Sequence, residues 1–140
     1  MRIVLDTSVI VAAFRSRTGA SNKILRQVAS GTFRPLVTTA LFLEYEDVLH
    51  RAEHRLASGM SEADVRAALA ALASACDPVD VHFRWRPQLS DPGDELVLEA
   101  AVNGGAKYLV THNIRDFASV SKQFDLHIVT PQQFLQEHRS

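Results

Sequence analysis

The chain has 140 residues, of which 46% are hydrophobic and 22% charged, with a net charge of −1 and a pI near 6.6. That length suits one domain over residues 1–140 with one substantial core, and the near-neutral balance argues against a protein that coats nucleic acid through bulk positive charge. No apolar run approaches the ~20 residues that cross a bilayer, the N-terminal residues read as strand rather than export signal, and the lone Cys76 forms no disulfide or thiolate cluster; a cytoplasmic protein with no membrane association is therefore expected.

Residues 2–6 read as a short parallel strand, because Ile3, Val4 and Leu5 form a continuous apolar run. After Asp6 the chain is expected to pass through a loop carrying Arg15 and Arg17. Residues 21–30 look helical, with Ile24, Leu25 and Val28 on one face and Gly31 as the stop. Residues 35–38 form a second strand, and Thr39 is placed to cap a helix to about Arg51 with Leu41, Phe42, Tyr45, Val48 and Leu49 on its apolar face. A short helical piece then ends near Gly59. The run Ser61-Glu62-Ala63-Asp64 resembles a capping box opening a helix to about Cys76. Residues 79–83 are predicted as strand three. Asp91-Pro92-Gly93-Asp94 starts a helix with Pro92 at its first position, and Gly104-Gly105 ends it. Residues 107–111 and 127–130 complete the strands, and a terminal helix begins at Pro131. Such alternation favours a mostly parallel sheet covered on both faces, which binds ligands at the carboxyl ends of its strands.

Four acids fall at that edge: Asp6 at the end of strand one, Glu44 early in the helix after strand two, Asp94 in the first turn of the helix before strand four, and Asp116 just after strand four. Each also has a plain structural explanation. Asp91 and Asp94 are typical of a helix start, Asp116 could cap a short helix, and Asp6-Thr7-Ser8 could form a side-chain-capped turn. Glu44 has acidic neighbours in Glu46 and Asp47, and helical periodicity only leans towards Glu44. Jointly the four say more, because converging carboxylates repel one another and raise each other's pKa, an arrangement a hard divalent cation requires and a structural role does not. Oxygen-only ligands without cysteine or paired histidines point to Mg²⁺ or Mn²⁺.

Four pieces, IVLDTSVIVAAF around Asp6, LEYEDVLHR around Glu44, SDPGDELVLEAA around Asp94 and YLVTHNIRDF ending near Asp116, occur in one order across nearly the whole chain. In that order they resemble the PIN-domain family, named for the N-terminus of the PilT protein, and in particular its small toxin branch related to VapC toxins of bacterial toxin–antitoxin systems. The resemblance implies an α/β fold, a three-layer α/β/α sandwich with a five-stranded, mostly parallel sheet of Rossmann-type topology. It also implies Mg²⁺- or Mn²⁺-dependent hydrolysis of phosphodiester bonds in RNA. Asp6, Glu44, Asp94 and Asp116 would hold the metal and do the chemistry, with Thr7 or Ser8, Thr111 and Asn113 as supporting polar residues and Asp91 left as a helix cap. A cognate antitoxin and a homodimer are expectations of the same likeness.

Cations should receive the RNA backbone: Arg15 and Arg17 first, then Lys23 and Arg26, with Arg84-Trp85-Arg86 able to stack a base and His112 able to meet a phosphate. Two other families with an acid after strand one fit less well. Haloacid-dehalogenase-like phosphatases carry a second Asp where this chain has Ser8, and receiver domains need an acceptor Asp after strand three, where this chain has His82-Phe83. A rival of another class is a non-catalytic RNA- or partner-binding module with a metal-stabilised fold.

Overall fold

The computed structural model describes residues 1–83 and 87–138. Strand β1 (Ile3–Leu5) runs directly into helix α1 (Thr7–Arg15), followed by α2 (Ala20–Ala29), β2 (Leu36–Val37), α3 (Thr39–Leu49), α4 (Ala52–Ser58) and α5 (Glu62–Ala75). Then come β3 (Asp77–Pro78), α6 (Pro92–Gly104), β4 (Tyr108–Val110), a short α7 (Ile114–Phe117) with a 3-10 turn at Ala118–Val120, β5 (His127–Val129) and α8 (Pro131–Glu137).

Several helix ends follow from local chemistry. Ser61 and Asp64 form the reciprocal capping box, each side chain accepting the other's backbone N–H. Asp91 Oδ1 accepts from the N–H groups of Gly93 and Asp94, with Pro92 at the first helical position. Gly59 and Gly105 end α4 and α6 at φ of 74° and 64°, conformations that a side chain would disfavour. The cap of α3 is Thr38, one residue before the predicted Thr39: its Oγ1 accepts from Leu41 N–H at 3.0 Å.

The segment expected to be a loop after Asp6 is helix α1. Its β-branched run of Val9, Ile10 and Val11 hides the period in the sequence, but Val9, Ile10 and Ala13 are buried on one face against the core. Arg15 is therefore the last residue of a helix, and Arg17 follows it.

Five strands are described, all paired in parallel, in two sheets rather than one: β1-β4-β5 and β2-β3. In the first, Ile3, Val4 and Leu5 align with Tyr108, Leu109 and Val110. Asp6 N–H and Arg2 C=O bond towards β4, so by the period of two Leu5 C=O faces the other edge. There the buried Tyr45 hydroxyl takes it, where a continuous sheet would have placed a strand donor. The predicted strand over 79–83 is displaced to Asp77–Pro78. Asp77 and Val79 donate to Pro35 and Val37, which puts Pro78, with no N–H to give, at the position facing away from β2. Beyond Val79 the chain leaves the sheet, because the backbone N–H groups of His82 and Phe83 both donate to Asn103 Oδ1 on α6.

The core explains the unbroken apolar strands. Ile3, Val4, Leu109 and Val110 are wholly buried, covered by Ile10 and Ile24 from α1 and α2, Val97, Leu98 and Ala101 from α6, Phe117 of α7 and Phe134 of α8.

Candidate active site

β1 and β4 are adjacent and parallel, so their carboxyl ends open at one edge, and α1 and α7 start from that edge. Asp6 occupies the N-cap position of α1, but its side chain caps nothing. The carboxylate is turned instead into the edge of the sheet, where Oδ2 accepts from Ser8 Oγ at 2.7 Å and from Thr111 Oγ1 at 2.6 Å. Thr111, fully buried, also accepts from Asn113 N–H at 2.9 Å. Asp6 is only 4% exposed, and Oδ1 takes no hydrogen bond among the described residues. A turn would have used backbone donors. Here two hydroxyls fix one carboxylate oxygen and leave the other open.

Asp94 is the third residue of α6, half-buried, and its carboxyl is pushed up to about 7 by burial first, then by the negative charges of Asp6, Asp91 and Asp116. Three separate parts of the chain therefore act on one acid. Asp116, exposed in α7, reaches Asp94 by its field. Asp91 behaves as the helix cap.

Glu44 sits part-buried on α3, whereas Glu46 and Asp47 are exposed. Its carboxylate lies against the start of α6: a Cβ added at Gly93 would stand 3.2 Å from Glu44 Oε1 and 3.1 Å from Asp91 Oδ1. Gly93 is the missing side chain that lets α3 and α6 approach there, and the motif Asp-Pro-Gly-Asp contained that signal unread. Buried Tyr45, next to Glu44, anchors α3 to the end of β1 through Leu5 C=O. Burial holds the Tyr45 hydroxyl protonated by raising its pKa, so it remains a donor.

The supporting residues divide. Ser8 and Thr111 touch Asp6. Among the described residues Thr7 Oγ1 is buried without a hydrogen-bond partner, and the Asn113 side chain makes no cap bond although the residue precedes α7. Of the cations, Arg15, Arg17, Lys23 and Arg26 are all exposed, and Arg15 also meets His54, Nη2 to Nδ1 at 2.7 Å. Arg115, on α7 beside Asp116, is a further exposed cation that the sequence reading passed over. The stacking motif Arg84-Trp85-Arg86 lies outside the described residues. An apolar groove lined by Phe14, Leu25, Val28, Ala68 and Leu72 contains none of the acids.

The donor set fits a hard divalent cation in kind, being carboxylate oxygen throughout with Asp6 Oδ1 free. Among the described residues no three His, Cys, Asp or Glu side chains converge tightly enough to hold an ion as they stand.

No curated protein matches the chain. A family model described as a PIN domain matches residues 2–115, a span that includes Asp6, Glu44 and Asp94 and stops one residue short of Asp116. With most of its length matched, the chain belongs to the PIN-domain family, whose members are in general nucleases.

Proposed function

We propose that the protein is a divalent-metal-dependent ribonuclease that hydrolyses phosphodiester bonds of single-stranded RNA and serves as the toxin of a toxin–antitoxin pair. The observation that carries the nuclease reading is Asp6: a buried carboxylate at the open end of β1, held by two hydroxyls with one oxygen free. The toxin role, a cognate antitoxin and a homodimer rest on likeness to the small toxin branch alone.

Asp6, Asp94 and Asp116 would hold Mg²⁺ or Mn²⁺, with Glu44 direct or through water. Such an ion would neutralise charge on the phosphoryl oxygens and acidify water. The chain's own part is orientation and proton handling. Ser8 and Thr111 keep Asp6 in one rotamer, so its free oxygen needs no reorganisation when a cation arrives. Glu44, against the start of α6, or Asp94 would orient the attacking water and take its proton. Arg17 and Arg115 offer exposed charge to the RNA backbone.

The rival, a non-catalytic RNA-binding module, draws support from the spread of the carboxylates as they stand. Turnover separates the two. A labelled single-stranded RNA should be cut by the purified chain with Mn²⁺ or Mg²⁺ and left intact with a chelator. RNA that is bound but never cut under any divalent ion would select the rival.

A further inference from the structure

His112 follows Thr111 at the mouth of the sheet, and its ring is exposed to solvent yet fixed in place. Its backbone N–H donates to Ser8 Oγ at 3.3 Å, the same hydroxyl that donates to Asp6 Oδ2 at 2.7 Å. At the other end, His112 Nε2 lies 2.8 Å from Ser21 Oγ. Ser21 is the second residue of α2 and only 3% exposed.

The direction of that last bond follows from satisfaction of a buried group. Among the described residues the Ser21 hydroxyl has one partner, His112 Nε2. Were Nε2 to carry the hydrogen and donate, the hydroxyl hydrogen would be left buried with nothing to bond. The hydroxyl therefore donates and Nε2 accepts, which leaves the ring hydrogen on Nδ1. Among the described residues Nδ1–H then has no partner, on an exposed residue tied to Ser8 beside the acids. An N–H donor there can meet an anion beside the cation that the carboxylates would hold.

We infer that His112 binds a backbone phosphate of the RNA through Nδ1–H, and that Ser21 is the positioning residue that sets its tautomer. The inference rests on the ribonuclease reading. It assigns α2 a part in substrate binding that the four acids do not disclose.

Two measurements test it. A two-bond proton–nitrogen spectrum of the labelled protein, with His112 assigned by difference against His112→Asn, reads the tautomer directly. Nδ1–H is expected in the wild type and a tautomer mixture in Ser21→Ala. Steady-state cleavage of a single-stranded oligonucleotide with Mn²⁺ then compares variants at the exposed position 112. His112→Ala and His112→Gln should raise KM about tenfold, as expected for one lost hydrogen bond to a charged group, with kcat within about threefold. His112→Asn, whose amide N–H₂ lies near the Nδ1 position, should recover most of that loss. An Nε2–H tautomer in the wild type overturns the inference, as does an unchanged KM in His112→Ala while the wild type cleaves. A wild type that cleaves nothing overturns the ribonuclease reading itself, and the phosphate role with it.

Discussion

Replacing Asp94 by Asn removes a charge that the fold does not welcome. The carboxyl titrates at about 7 in the folded chain against 3.8 when free of its surroundings, through burial and then the charges of Asp6, Asp91 and Asp116. Below pH 3.8 it is protonated both folded and unfolded and contributes nothing. Between 3.8 and about 7 the unfolded chain gives up the proton and the folded chain keeps it, so stability falls as pH rises through that window, and above it the full cost is present. Converted without correction, the displacement is worth ~4 kcal/mol at 1.36 kcal/mol per tenfold. The group is only half-buried, and solvent screening reduces this to ~1–2 kcal/mol. Asp94→Asn should therefore match the wild type near pH 4 and be ~1–2 kcal/mol more stable at pH 8 in urea denaturation without divalent ions. A variant that is less stable at pH 8, or whose difference does not change with pH, would refute the crowding of these acids.

Three further outcomes follow from the same site. Asp6→Asn can keep an oxygen where Oδ2 accepts from Ser8 and Thr111, so it should melt close to the wild type; Asp6→Ala strands the buried Thr111 hydroxyl and should cost ~1–3 kcal/mol in thermal unfolding. Gly93→Ala places a methyl group 3.2 Å from Glu44 Oε1 and 3.1 Å from Asp91 Oδ1. At this second helical position the gain in propensity is below the ~1 kcal/mol of a helix interior, so the melt should change little or fall slightly, while RNA turnover falls at least tenfold as Glu44 is displaced. Millimolar Mn²⁺ should raise the melting temperature of the wild type by mass action on the folded state, and should not do so for Asp94→Asn. Equal shifts in both would place the ion elsewhere.

What the sequence disclosed was mostly local or ordered along the chain. Ser61 with Asp64, Asp91 with Pro92, and Gly59 and Gly105 act within a few residues of themselves, so their caps and stops were readable. Asp6 was conspicuous because an acid ends an apolar strand. What it did not disclose depended on partners distant in sequence. The helix after Asp6 was hidden because Val9, Ile10 and Val11 give no clear period until the core shows which face is buried. The sheet divides where the Tyr45 hydroxyl, forty positions away, takes the Leu5 carbonyl. Strand three shifted because Asn103 takes the backbone donors of His82 and Phe83. Glu44 could be separated from Glu46 and Asp47 only by burial, and the tie from Ser21 to His112 joins residues with no common motif.

The most direct measurement is single-turnover cleavage of a labelled single-stranded RNA by the wild type and Asp6→Asn, purified in parallel and supplied with the same Mn²⁺. The wild type should cut and the variant, folded and melting normally, should be slower by at least about a hundredfold. Equal rates in the two would contradict a hydrolytic role for the carboxylate at the end of β1.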